Sequence, residues 1–261
     1  MNNSTPVAGI SARVRHAEHV MGTVVSFDVP VFARHEGILQ AAVRWLHWVD
    51  RVFSPYRPDS DVSLLARAEV TVDACAPEVA EVIAACAFLS DSSGGYFTAS
   101  PGGQFDPSGF VKGWAVERAS QLLSAAGSAD HLVNGGGDVQ CAGGRAPGEG
   151  WRVGIVNPFH AGQLALVVAG RDFAVATSGT AERGLHIVDP VSGRPATGLA
   201  SLTVAGPSLT FADAYATAAF AMGGALAREW TESLEGYEAF AITDDGATWQ
   251  TSGFSRYIAV D

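Results

Sequence analysis

From Glu36 to Phe53 the apolar positions Ile38, Leu39, Ala42, Val43, Leu46, Val49 and Val52 recur at three- and four-residue intervals, the period of a helix that buries one stripe. Pro55 ends that segment. Pro77 to Leu89 and Trp114 to Ala126 predict two more helices, one with proline in its first turn and Gly94-Gly95 beyond its end, the other closed by Gly127. The alanine-rich run Phe211 to Leu226 predicts a fourth. Val20 to Val29 carries the β-branched pattern of a strand, and the glycine-punctuated segments 131–134, 139–141, 151–156, 164–169, 173–176, 186–188 and 201–205 predict meander strands. Two further strands are expected between Phe240 and Val260 about an Asp245-Gly246 turn. Helices, then strands, then a helix and a hairpin indicate an α+β fold rather than regular βαβ alternation. Residues 1–17, polar and broken by Pro6 and Gly9, are expected to be a tail ahead of one domain over 18–261.

Composition narrows the function. The chain has 261 residues, is 48% hydrophobic and 16% charged, and carries a net charge of -11 with a pI near 5.0, so it has material for a large core. No run of Lys or Arg offers a footprint for nucleic acid, and none favours an anionic membrane. No stretch approaches the ~20 apolar residues that span a bilayer. Residues 1–17 show neither the apolar core of a signal peptide nor a cysteine to lipidate, and the expectation is a cytoplasmic protein. Cys75, Cys86 and Cys141 lack metal-ligand spacing and read as small hydrophobes.

Charge chemistry singles out one residue. Lys112 is the sole lysine among 16 cationic residues, and it lies between glycines in Gly109-Phe-Val-Lys112-Gly113, read as a turn just ahead of the third helix. A compact ammonium there suits an anion that a guanidinium fork would not fit. Asp213 and Thr217, one turn apart on the last predicted helix, admit two readings: a carboxylate and hydroxyl for a hard cation such as magnesium, or a helix cap with a back-bonded threonine. Asn134-Gly-Gly-Gly-Asp138 is either a hairpin turn or a backbone that approaches a ligand closely. Thr177-Ser178-Gly179, His186-Ile-Val-Asp189-Pro and the loop Phe53-Ser-Pro-Tyr56 complete the set, each ordinary by itself.

In this order, Met21-Gly-Thr, Phe53-Ser-x-Tyr56 with Asp59-Ser60, Gly109-x-x-Lys112-Gly113, Asn134-x-Gly-Gly137-Asp138, Thr177-Ser-Gly179, His186-Ile-x-Asp189-Pro and Ala212-Asp213-Ala-x-Ala-Thr217 resemble the ApbE family of FAD:protein FMN transferases. The resemblance runs from Met21 to Gly223. It implies an ApbE-like, T-fold-related, two-lobed single domain with antiparallel sheets and flanking helices. It also implies a magnesium-dependent transfer of FMN from FAD onto a Ser or Thr hydroxyl of a target flavoprotein, with release of AMP. Carried over residue by residue, it implies a metal held by Asp213, Thr217 and the carbonyl of Val111, with Asp213 and Lys112 catalytic and Lys112 facing the pyrophosphate. FAD contacts are implied for Met21, Gly22, Tyr56, Ser108, Lys112, Gly136, Asp138, Thr177, Ser178, His186, Ile187 and Asp189. Two alternatives share these residues: an FAD pyrophosphatase yielding FMN and AMP, and an FAD-binding protein without turnover. Many relatives have paired glycines where this chain has Pro107-Ser108. Asp245-Gly-Ala-Thr248 is similar to the tail of the acceptor motif such enzymes modify, but Asp-Gly between strand-like runs is a hairpin signal and is read as one.

Overall fold

The computed structural model describes residues 12–31, 35–180, 187–190 and 192–260. Its strands are β1 (Arg13–Val20), β2 (Thr23–Pro30), β3 (His131–Gly135), β4 (Asp138–Ala142), β5 (Trp151–Val156), β6 (Leu164–Gly170), β7 (Phe173–Gly179), β8 (Val188–Asp189), β9 (Arg194–Pro195), β10 (Leu199–Gly206), β11 (Glu238–Thr243) and β12 (Thr248–Gln250). Its α-helices are α1 (His35–Phe53), α2 (Asp61–Ala66), α3 (Pro77–Ser92), α4 (Ser108–Ala125), α5 (Leu209–Met222) and α6 (Gly224–Glu232). Eight strands build one antiparallel sheet in the order β1-β2-β3-β4-β7-β10-β11-β12, while β5-β6 and β8-β9 are separate hairpins. The expected α+β class with antiparallel sheets and flanking helices is what the chain adopts. No described helix is long and apolar enough to cross a membrane.

Side-chain alternation divides the sheet between two cores. Ala174, Ala176, Leu202, Val204, Ala239 and Ala241 face the helices, and their neighbours Phe173, Val175, Ala205, Phe240 and Ile242 face the β5-β6 hairpin and the C-terminal turn. β10 is buried along its whole length for that reason. The small residues of α5, Ala212, Ala214, Ala216, Ala218 and Ala219, are all buried and let that helix lie close on the sheet.

Four boundaries differ from the periodic reading, one being the expected Phe211 to Leu226 helix, which Gly223 divides into α5 and α6. The run Val20 to Val29 is a strand preceded by a two-residue turn at Met21 and Gly22, with φ of 54° and 68°, the type I′ geometry of a tight hairpin. Its first strand, β1, begins at Arg13, within the segment whose polarity suggests a tail. α4 starts at Ser108, six residues before the predicted Trp114, so Lys112 sits in a helix rather than ahead of one. The Asp245-Gly246 turn joins β11 to β12 as expected, with Gly246 at φ 83°.

α4 and α5 meet at a glycine. A Cβ at Gly113 would lie 2.7 Å from the Leu209 carbonyl oxygen and 2.8 Å from Asp213 Cβ, whereas one at Gly109 would meet Phe97 and Thr217 at an ordinary 3.7 and 3.8 Å. Gly113 therefore sets the helix separation. The N-terminus of α5 is held from both sides: Glu117 Oε2 on α4 accepts from the Thr210 amide at 2.8 Å, and Gln140 Oε1 on β4 accepts from the Leu209 amide at 2.9 Å.

His131 is fully buried at the start of β3. Its Nδ1 donates to the Ser128 carbonyl at 3.0 Å, and its Nε2 lies 2.8 Å from the Ser120 hydroxyl, which donates to it when the ring is neutral. Burial holds its pKa below the ordinary 6.5.

Two outcomes follow from this packing. Gly113→Ala should lose about 1–3 kcal/mol in urea melts, because overpacking against backbone outweighs the gain in helix propensity, while Gly109→Ala should be neutral or stabilising. For His131, the unfolded chain takes up a proton near 6.5 and the folded chain at lower pH, so the unfolded state binds more protons below that value. Stability should fall as pH drops below about 6.5. His131→Gln, which cannot titrate, should show a smaller loss between matched melts above and below that point.

Candidate active site

Antiparallel order brings the start of β2, the end of β3, the start of β4, the end of β7 and the start of β10 to one end of the sheet. Two type I′ turns stand side by side there. Met21-Gly22 joins β1 to β2, and Gly136-Gly137, at φ 61° and 99°, joins β3 to β4. They are packed so closely that a Cβ on Gly136 would come within 2.5 Å of Thr23 Oγ1. The Asn134-Gly-Gly-Gly-Asp138 motif is thus a hairpin turn and also a wall of the site.

Between this sheet end, the N-terminal half of α4, α5 and the β5 strand opens a cavity of about 1540 Å³. Ordinary small-molecule sites occupy roughly 300–1,000 Å³. Met21, Gly22, Tyr56, Ser108, Val111, Lys112, Gly136, Asp138, Thr177, Ser178, Ile187, Asp213 and Thr217 all line it. Tyr56 stands at its rim, 94% exposed, as a loop aromatic available to a planar ring. Asp189 closes the β8-β9 hairpin between lining residues Val188 and Pro190 but is not itself part of the lining. His186 lies outside the described residues.

Charge concentrates on the cavity floor. Asp213, 4% exposed, points from α5 toward α4, where Oδ2 accepts from the Gly113 amide at 3.0 Å and Oδ1 stands 3.5 Å from Lys112 Nζ. It does not cap its helix, whose first amides are held by Gln140 and Glu117. Lys112 also pairs with Asp138, whose Oδ1 accepts from the Thr177 amide at 2.9 Å. Burial pushes the Asp213 carboxyl up to about 7; Asp138 adds to the rise, and Lys112 and the Gly113 amide oppose it. One turn along, the Thr217 hydroxyl lies 3.5 Å from that of Ser178.

A buried carboxylate, a hydroxyl on the next turn and the nearby backbone of Val111 form an all-oxygen donor set, which fits a hard cation that keeps few protein ligands. Among the described residues no group of three His, Cys, Asp or Glu side chains is placed to hold a metal.

The N-terminus of α4 differs from the expected anion site. The Ser108 amide donates to Asp106 Oδ1 at 2.9 Å, and the amides of Phe110 and Val111 donate to the Pro107 carbonyl at 2.9 and 3.0 Å. Periodicity gave no sign of several lining residues, among them Tyr96, Arg152, Val153 and Ile155. Those on β5 reach the cavity because the hairpin folds back over the sheet, a tertiary event. Arg152 joins Lys112 as a cation of the lining.

The sequence profile of the ApbE family matches residues 21–103 and 98–241. The FAD:protein FMN transferase of Treponema pallidum is 35% identical over 180 residues, which is 62% of this chain and 50% of that protein. That of Rhodobacter capsulatus is 35% identical over 167 residues, 59% of this chain and 31% of its own. The chain thus spans about half the length, or less, of these relatives. Among solved structures, the flavin transferase ApbE of Vibrio cholerae superposes with a TM-score of 0.84 at 22% identity, covering 95% of this chain and 99% of that one. The ApbE protein of Thermotoga maritima does so with a TM-score of 0.85, also at 22% identity, covering 95% and 100%. The similarity extends over the elements that build the cavity, and the chain belongs to the ApbE family.

Proposed function

We propose that the protein is an FAD:protein FMN transferase that moves FMN from FAD onto a Ser or Thr hydroxyl of a target flavoprotein, with magnesium as cofactor. The observation that carries this reading is the floor of the cavity: a buried Asp213 beside Lys112 and Thr217, beneath a space of about 1540 Å³ that admits a dinucleotide and an approaching side chain. Relatives named for this activity share the family and, over the matched stretch, about a third of the sequence.

The reaction joins the acceptor oxygen to the FMN phosphorus and breaks the pyrophosphate bond, so AMP leaves and the hydroxyl gives up its proton. Such transfers ask the protein for positioning and charge neutralisation more than for covalent chemistry. Lys112 brings a fixed positive charge to the floor. Asp213, Thr217 and the Val111 carbonyl would hold magnesium, which supplies Lewis-acid stabilisation of the phosphoryl oxygens. The two glycine turns let the flavin approach backbone, and Met21 and Tyr56 offer it apolar contact. β5 adds the apolar Val153, Ile155 and Val156 to the cavity wall, and limiting water there would matter because water in place of the acceptor would hydrolyse FAD.

Purified protein should bind FAD more tightly than FMN in a fluorescence titration, since the AMP half is the leaving group and must be held; equal affinities would count against the reading. With FAD, magnesium and a candidate flavoprotein domain, mass spectrometry should find an FMN adduct on the acceptor. AMP and free FMN without acceptor would instead mark a pyrophosphatase. Asp213→Ala should remove at least about 10²-fold of turnover and magnesium dependence while the fold survives. Full activity in a stable Asp213→Ala variant, or in wild type after chelation, would sink the proposed mechanism.

A further inference from the structure

Lys112 serves two carboxylates that are not equivalent. Asp138 is 2% exposed on β4 and pinned by the Thr177 amide at 2.9 Å, and Asp213 is pinned by the Gly113 amide at 3.0 Å. The ammonium, on a flexible stem and 29% exposed, is the mobile member of the three. It pairs directly with Asp138 and stands off at 3.5 Å from Asp213 Oδ1. Were Asp138 neutral, the ammonium would lose its direct carboxylate partner and the pull away from Asp213, and an ammonium seated on Asp213 would compete with any other cation.

We infer that Asp138 is a positioning residue that draws the Lys112 ammonium off Asp213, keeping Asp213 Oδ1 open to a divalent cation and taking the ammonium fully when that cation binds. The inference rests on the reading of Asp213 as a metal ligand. It also accounts for the identity of residue 112. The other 15 cationic side chains are arginine, and a guanidinium fork between two carboxylates would bind both at once. An ammonium is a point charge that slides from one to the other. Asp138 thereby acts through Lys112 and needs no contact with metal or flavin.

The sole lysine makes the test direct, because protein grown with 13Cε,15Nζ-lysine gives one side-chain signal that needs no assignment. Titration with magnesium chloride alone should shift that signal saturably in wild type and leave it unmoved in Asp213→Ala. By calorimetry, Asp138→Asn, which keeps an oxygen for the Thr177 amide, should weaken magnesium binding about tenfold, and the same change in a Lys112→Met background should cost about threefold or less. Lys112→Met alone, with its competitor removed, should bind magnesium about threefold tighter or better than wild type. Equal costs of Asp138→Asn in both backgrounds, unchanged affinity in Lys112→Met, or a lysine signal unmoved at saturation would each overturn the role of Asp138 while leaving the metal site standing. Absence of magnesium binding to wild type, or undiminished binding to Asp213→Ala, would overturn the metal reading itself and this inference with it.

Discussion

The contact between Gly113 on α4 and Asp213 on α5 is the constraint on which the site depends. A carboxylate can be buried this completely when backbone amides and a cation meet it, and here one amide comes from the neighbouring helix at 3.0 Å. That approach requires the helices to touch where position 113 has no side chain, since a Cβ there would lie 2.8 Å from that of Asp213. Packing and charge placement are the same event. The alanines that let α5 sink onto the sheet, and the Glu117 and Gln140 side chains that grip its first turn, serve the same end by fixing the depth and rotation of Asp213.

Among the described residues of this floor, Asp138 and Asp213 share Lys112. Burial and the second carboxylate raise the proton affinity of Asp213, and Lys112 compensates in part. Two carboxylates sharing one ammonium is an arrangement that, on the proposed reading, leaves Asp213 able to accept a further cation.

The sequence made some of this legible and concealed the rest for definable reasons. α1 stood out because one face meets solvent and the other the core, so its apolar stripe alternates cleanly. β10 offered no alternation because both its faces are buried. The hairpin at Met21-Gly22 was hidden inside a continuous β-branched run, since methionine at φ 54° is not a turn signal. The first turns of α4 were misread because Pro107, Ser108, Gly109 and Gly113 look like punctuation; in the fold, Pro107 precedes the helix, Ser108 begins it, and Gly113 is an interhelical contact. As for the site, Lys112 was singled out by its rarity and Asp213 with Thr217 by helical spacing, which left cap and cation readings open until the family resemblance was added. What neither signal gave was the pairing of Lys112 with Asp138, which depends on a β4 residue and an α4 residue 26 positions apart meeting across the sheet end.

Pro107, Ser108 and Gly109, which open α4, have a structural consequence. A helix N-terminus offers free amides to an anion, but here Asp106 and the Pro107 carbonyl take the amides of Ser108, Phe110 and Val111. Asp106, a carboxylate of the chain itself, thereby occupies the first of these amides, and it lines the cavity besides. The cations of the described lining, Lys112 and Arg152, stand on α4 and β5, and under the proposed function these two would meet the pyrophosphate. On that proposed reading, phosphate recognition is divided between a helix and a hairpin packed over the opposite face of the sheet, and the orientation of the β5-β6 hairpin sets how a diphosphate would lie relative to Asp213.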